Sequence, residues 1–448
     1  MVKAVKLRKG LDIKLKGQAA YSDIEVARGT MFALSPDDFP GIVPKVVVKE
    51  GDRVLAGDAL FVNKHAPMVS FASPVSGIVK AVERGERRKV LSVKVEADEQ
   101  NEYRLFSVPN LQDATAEDVK TTLLNAGLFG YITQLPYAVS TTPDTTPKAI
   151  FVSAFRDMPL AADFMYELAG EEESFQAGIT ALSKIKEVYL GINSSEEETL
   201  GNIKDATVTI FEGKCPAGNV GVHVNHIMPI NKDEVIWTVN PTAVIFIGRL
   251  FLSGKTDLRR KIAVAGQCVT NPAYSNVIVG QNIGHILNGR INGSNVRIIK
   301  GNPLTGVRAC EKCHIGPFTS EITVIPEGDT ADEMLGWIMP RTKMFSASRT
   351  YLSWLLPKTR EYDCDARIKG GERHMIMSGE YNQVLPMDIY AEHLIKAIIA
   401  GDIERQEALG IYEVSPEDFA VAEFVCSSKI PLQSIVRQGL DILRRENA

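Results

Sequence analysis

The chain has 448 residues, 50 Lys and Arg against 55 Asp and Glu, and a formal net charge of −5. With 45% hydrophobic and 23% charged residues it is neither a disordered segment nor a basic nucleic-acid binder, and six cysteines are too few for a disulfide scaffold, which fits a reducing compartment. At roughly 150 residues per domain the length predicts about three units.

The longest stretches without Lys, Arg, Asp or Glu, residues 121–143 and 262–289, are broken by Asn, Gln, Pro or Gly. Neither is the run of about 20 predominantly apolar residues that a spanning helix needs. The basic start MVKAVKLRKGLD lacks the apolar segment of an export signal. A cytosolic chain is expected, and docking on a membrane complex is compatible with it.

In chain order, residues 1–100 hold an N-terminal segment and a β-rich module. VPKVVVKEGDRVLAGDALF, SPVSGIV and VLSVKVE read as short strands joined by glycine turns, in the pattern of a biotinyl/lipoyl-type barrel-sandwich. Such modules place a carrier lysine about eight residues before the Pro of their S-P pair. Here Lys64 lies ten before Pro74 and Ala66 takes that place, so a structural module is favoured. Residues 101–147 form a connecting segment, with a helix over 115–127 capped by Thr115 and then a charge-free aromatic stretch, 128–139. Residues 148–255 alternate strands (KAIFVSA, EVYLGIN, ATVTIFE, EVIWTVN) with a helix through 170–186 and one that starts at Asn240-Pro241 and stops at Gly254. This is the order of a Rossmann-like parallel sheet. Residues 256–329 read as strands around one short helix, a β-grasp (SLBB-like) unit. Residues 330–448 read as mostly helical, with amphipathic stretches at 388–409 and 431–445. The fold class is therefore α+β and multidomain.

Several motifs tempt a functional reading. Cys310-Glu311-Lys312-Cys313-His314 has the spacing of a c-type haem attachment site, but no export signal accompanies it. As half of a zinc site it would need His314 and a remote His, since no second C-x-x-C and no H-x3–5-H pair is present. Two reduced thiols in a loop are the default. Gly254-Lys255-Thr256 is not a phosphate loop: Gly248 lies one residue too far upstream, bulky Leu250, Phe251 and Leu252 intervene, and the Lys follows its helix instead of preceding one. No G-x-G-x-x-G supports a dinucleotide site. His223 and His226, among Val, Ile and Met, are expected on an extended segment as structural or surface histidines, with a metal or proton-transfer role the lesser alternative. Residues 335–358 interleave Trp337, Phe345, Tyr351 and Trp354 with Arg341, Lys343, Arg349 and Lys358. Two readings stand for this stretch, a docking surface and a core helix with basic flanks.

Longer segments carry a family resemblance. KGLDIKLKG (9–17), SPVSGIVKAVERGERRKVLSVKVE (73–96), KAIFVSAFRDMPLAAD (148–163), CPAGNVGVHVNHIMPI (215–230), VIWTVNPTAVIFIGRLFLSG (235–254), LGWIMPRTKMFSASRTYLSWLL (335–356), LPMDIYAEHLIKAIIAGD (385–402) and CSSKIPLQSIVRQGLDIL (426–443) follow one another over nearly the whole chain. Together they resemble the A subunit of the sodium-translocating NADH:quinone oxidoreductases (Na+-NQR).

That resemblance implies a peripheral subunit on the cytoplasmic face of the bacterial inner membrane, joined to five other subunits, integral membrane subunits among them. The complex passes electrons from NADH to ubiquinone and exports Na+. Flavins and iron centres belong to the partners. This chain would bind none of them, would contribute to ubiquinone binding, and would be inactive alone. The organisation is similar to the flavoprotein subunit of respiratory complex I and to the C subunit of the Rnf complex, but the four-cysteine runs of the latter are absent. Where the family carries a basic R-x-R-P-F stretch, this chain has Thr133-Gln134-Leu135-Pro136-Tyr137.

The residues named for quinone binding are Phe129, Tyr131, Leu135, Pro136 and Tyr137. Those named for docking on a partner or membrane are Trp337, Arg341, Lys343, Arg349 and Trp354. No catalytic or metal-ligating residue is assigned. The alternatives are a flavin- or NADH-binding subunit of the Rnf type and a structural adaptor that binds no quinone.

Overall fold

The structure is a computed structural model that describes residues 2–328, 338, 340–357 and 359–447. Its barrel-sandwich packs two small antiparallel sheets face to face. One runs in the order Met31–Leu34, Val90–Ala97, Gly77–Arg84, Arg53–Val54, and the other Pro44–Val46, Ala59–Asn63, Ala66–Ala72. Alternation drives this packing: Val79, Val93, Val95, Val69 and Phe71 face inward and are fully buried. The Lys64-His65 turn joins two of these strands at the surface, while Ala66 is buried.

The central α/β sheet has seven strands in the order Lys3–Lys6, Thr207–Glu212, Val188–Ile192, Ile150–Ser153, Ile236–Val239, Ile132–Leu135, Val139–Ser140. The first five are parallel and the last two form an antiparallel hairpin on the edge. Chain order runs outward from Ile150–Ser153 through two strands on one side, then returns to place Ile236–Val239 on the other. A switch point therefore lies at the carboxyl ends of those two adjacent strands.

Helices Glu172–Ile185 and Pro241–Ser253 pack on one face of this sheet. The second begins with the Asn240 side chain accepting the Thr242 N–H and ends at Gly254 in the left-handed region (φ +69°), as its sequence predicts. Gly178 and Gly248 let the two helices touch backbone to backbone. A Cβ on Gly248 would overlap the Ser174 carbonyl oxygen. The glycine that fits no phosphate loop is thus a packing residue.

The β-grasp sheet runs Val307–Ala309, Val296–Lys300, Glu321–Pro326, Arg259–Ala265, Ala273–Ile278, Ala20–Asp23, with helix Ile283–Leu287 beside it. The residues ahead of the barrel thus lend an edge strand to each of the other two sheets.

The helical reading of residues 330–448 holds from residue 380 onward. Among the described residues from 338 to 379 the only helix is the short 3-10 turn Leu352–Leu355. The stretch 388–409 is two helices, Ala391–Ala400 and Ile403–Ala408, because Gly401 takes φ +70° and Asp402 caps the second. With Leu432–Glu446 they bury Leu394, Ile395, Val436 and Leu440 against Leu135, Phe151 and Ile236 of the central sheet. Among the described residues no helix is long and apolar enough to cross a membrane.

Candidate functional site at the strand switch point

Ligands of open α/β sheets bind in the crevice outside the strand carboxyl ends, at the switch point. In this chain four side chains that sequence reasoning did not single out meet there. Arg156 follows the Ile150–Ser153 strand, Thr242 opens the helix after Ile236–Val239, Glu167 lies in helix Phe164–Leu168, and Arg260 projects from the β-grasp strand Arg259–Ala265.

Arg156 Nη1 donates to Glu167 Oε2 at 3.1 Å and Nη2 to Thr242 Oγ1 at 3.1 Å. The Thr242 hydroxyl also accepts from Arg260 Nη2 (3.1 Å) and donates to Glu167 Oε1 (2.9 Å). Arg260 Nη1 reaches the Pro317 carbonyl at 2.7 Å, and its Nη2 lies 3.3 Å from Glu167 Oε1. The Arg260 side chain is fully buried and Glu167 nearly so. A charge this deep persists only when paired, and burial pulls the Arg260 guanidinium below its ordinary range against the pull of Glu167.

Two carboxylates border the cluster. Glu321 accepts the Ala162 N–H at 3.0 Å and is pushed up by burial. Glu196, on the turn after Val188–Ile192, is pushed up to about 7 by burial and by the Asp163 carboxylate, against the Asn193 N–H it accepts and the Arg156 charge.

Beside the cluster opens a cavity of about 320 Å³ whose walls include Glu167, Thr242, Phe246, Arg249, Arg260 and Gln281. Two buried polar atoms at this site have no hydrogen-bond partner among the described residues: the Tyr131 hydroxyl and Arg260 Nε. Arg260 and Tyr131 sense each other electrostatically, and the Tyr131 ring stands edge-on to Phe246, 6.1 Å between centroids. The cavity wall combines Phe246 with the polar side chains of Thr242, Arg249, Arg260 and Gln281, which suits a flat ligand carrying carbonyl oxygens.

The five residues named for quinone binding are not brought together. Phe129 and Tyr131 are buried in the core shared by the barrel and the α/β unit, where Phe129 meets Trp237 and Tyr131 meets Phe39 and Phe318. Leu135 points to the opposite face of the sheet, into the core of the C-terminal helices. Pro136 is buried in the hairpin turn, and Tyr137 is half-buried at φ +82°, its hydroxyl accepting from Asn447 Nδ2 at 3.3 Å. None of the five is among the residues that line the cavity, although Tyr131 meets Phe246 of its wall. Arg260 did carry a readable signal: it shares a strand face with Ile262 and Val264, so a charge occupies an apolar stripe.

Of the docking stretch, Trp337 and Lys358 lie outside the described residues. Lys343, Arg349 and Trp354 are exposed and Arg341 is half-buried. Arg349 lies over the Trp354 ring and Arg341 over Tyr351, at 5.4 and 5.6 Å. Ile338, Leu352 and Leu355 are exposed as well, whereas Phe345 packs against Tyr362 and Phe424, and the only helix among the described residues of this stretch is the 3-10 turn Leu352–Leu355.

The histidine pair is corrected. His223 and His226 lie on helix Val220–Ile227, not on an extended segment. His223 is buried against Phe211 and pulled down to about 3 by burial, a structural role. Its Nε2 lies 2.8 Å from the Ala217 carbonyl, which fixes the ring. Among the described residues no group of three or more His, Cys, Asp or Glu could hold a metal ion.

The fold and its switch-point cleft define a multidomain class in which a barrel-sandwich is joined to a Rossmann-like sheet and a β-grasp unit. Three family descriptions match it in order: "NqrA N-terminal barrel-sandwich hybrid domain" over residues 5–98, "NqrA second alpha/beta domain" over 114–256 and "NQRA C-terminal domain" over 261–311. The chain belongs to the NqrA family, the A subunits of the Na+-translocating NADH-quinone reductases. It is 34% identical over 449 aligned residues to the NqrA of Serratia proteamaculans, spanning 99% of this chain and 100% of that one. The NqrA proteins of Yersinia pestis and Pasteurella multocida are each 33% identical, with the same coverage.

Proposed function

We propose that this chain is the peripheral NqrA subunit of a Na+-pumping NADH:ubiquinone reductase, that it docks on the cytoplasmic face of the inner membrane, and that it contributes to binding the ubiquinone head. Flavins and iron centres sit in partner subunits, five in number, and the chain has no turnover alone. The observation that carries the quinone assignment is the switch-point cavity, with Phe246 as a wall and Arg249, Arg260 and Gln281 as donor-bearing side chains in its lining. A quinone head needs an apolar slot and a few donors for its carbonyls, and this cleft supplies both.

The connection after Ile150–Ser153 favours this reading over a nucleotide site. It carries Phe155 and Arg156 where a glycine-rich turn would cradle a pyrophosphate. The exposed basic-aromatic surface around Lys343, Arg349 and Trp354 supports docking on partner subunits, and it is the observation an adaptor without quinone would share.

A photoreactive short-chain ubiquinone analogue applied to the assembled complex separates the two. Adducts on Tyr131, Phe246 or their immediate neighbours are expected. Labelling confined to other subunits refutes the quinone site and leaves the adaptor.

A further inference from the structure

The Cys310-x-x-Cys313 motif remains unused by this function. All six cysteines are free: Cys215, Cys268 and Cys426 are buried, Cys364 and Cys313 half-buried, and Cys310 exposed. The two thiols of the motif sit side by side on a tight turn after strand Val307–Ala309. The Cys313 N–H donates to the Cys310 carbonyl at 2.9 Å. The turn is pinned to the start of the neighbouring helix by Gly284 N–H to the Glu311 carbonyl and Ile283 N–H to the Cys313 carbonyl, both at 2.9 Å. The Asn282 side chain donates to that same Cys313 carbonyl at 3.2 Å. The two sulfurs lie 2.8 Å apart across this turn.

The two sulfurs are electrically unequal. The Cys313 thiol, the N–H groups of Lys312 and Cys313 and the Lys312 ammonium all favour a Cys310 thiolate and hold its thiol below the ordinary cysteine range. Burial and the neighbouring sulfur push Cys313 up. An exposed sulfur with thiolate character beside a more sheltered one is the arrangement of an attacking and a resolving cysteine.

We propose that Cys310 and Cys313 form a reversible dithiol–disulfide pair that exchanges with low-molecular-weight disulfides of the glutathione class. The Cys310 thiolate, its proton lost to water, attacks one sulfur of the small disulfide. That S–S bond breaks, a mixed disulfide forms on Cys310, and one small thiolate leaves and takes up a proton. Cys313, deprotonated in turn, attacks Cys310 Sγ. The mixed disulfide breaks and the second small thiolate leaves with a proton. Two protein thiols are oxidised to one disulfide, and one small disulfide is reduced to two thiols.

The test uses the full chain. It is incubated with oxidised glutathione, alkylated under native conditions, digested without reduction and read by mass spectrometry. The expected peptide across residues 310–313 is lighter by two hydrogen atoms, carries no alkyl group, and regains two alkylation sites after dithiothreitol. Cys313→Ser should accumulate a stable glutathione adduct on Cys310. Full alkylation of both sulfurs after oxidation overturns the proposal, as do separate glutathione adducts on both. So does a stoichiometric zinc ion that co-purifies and protects both thiols before any oxidant is added.

Discussion

At the scale of residues, the switch point is a set of charges that hold one another in place. Thr242 carries most of the connectivity, since one hydroxyl accepts from two guanidinium groups and donates to Glu167. Glu196 at its border is raised instead: burial and the Asp163 carboxylate outweigh the Asn193 N–H and the Arg156 charge. Its folded value of about 7 lies above the ordinary 4.5, so the folded chain binds a proton that the unfolded chain has released. The stability this provides is complete below about pH 4.5 and is lost as pH rises towards 7 and beyond. Glu196→Gln keeps the neutral form at every pH. Denaturant unfolding should show the variant equal to the parent near pH 4.5 and more stable by about 2–3 kcal/mol at pH 8. Parallel pH profiles for the two chains would show that Glu196 is ionised in the fold. Little of this cluster was legible in the sequence. Tyr131 stood out as an aromatic in a charge-free run and Arg260 interrupts an apolar stripe, but Arg156 and Glu167 look like ordinary surface charges until the strand order brings all of them together.

At the scale of elements, local signals were readable wherever a cap or a stop was explicit. Thr115 caps helix Ala116–Asn125 by accepting the Asp118 N–H, and Asn240-Pro241 and Gly254 bound their helix as the sequence predicts. The misreading at 220–227 has a physical cause: Val and Ile favour strands by propensity, yet the segment packs as a helix with His223 inside. Close contact between helices Glu172–Ile185 and Pro241–Ser253 also rests on particular residues. Gly248→Ala should force the backbones apart and destabilise the chain by about 1–3 kcal/mol, because the new methyl has no flexible neighbour to displace. Calorimetry of the purified variant measures it, and an unchanged unfolding midpoint would mean the helices are less tightly apposed than the Ser174 contact requires.

At the scale of the whole molecule, the first 23 residues tie the units together by pairing Lys3–Lys6 with the α/β sheet and Ala20–Asp23 with the β-grasp sheet. Short exposed strands of this kind carry no apolar alternation, so no reading of the sequence separates them from the barrel that follows. The order of the units, by contrast, was legible from glycine turns, strand–helix alternation and amphipathic helices. The same connectivity places Arg260 of one unit against Glu167 and Thr242 of another, so the switch-point cavity exists only in the joined chain.

The central claim is that this joined chain works as the NqrA component of a sodium-dependent quinone reductase. Membranes from cells in which its gene is deleted, then complemented with the full chain, test that claim most directly through Na+-stimulated NADH:ubiquinone reduction. Loss of the Na+-stimulated rate on deletion, and its return together with co-purification of the chain with the reductase, is the predicted result. A Na+-stimulated rate that survives deletion unchanged would contradict it.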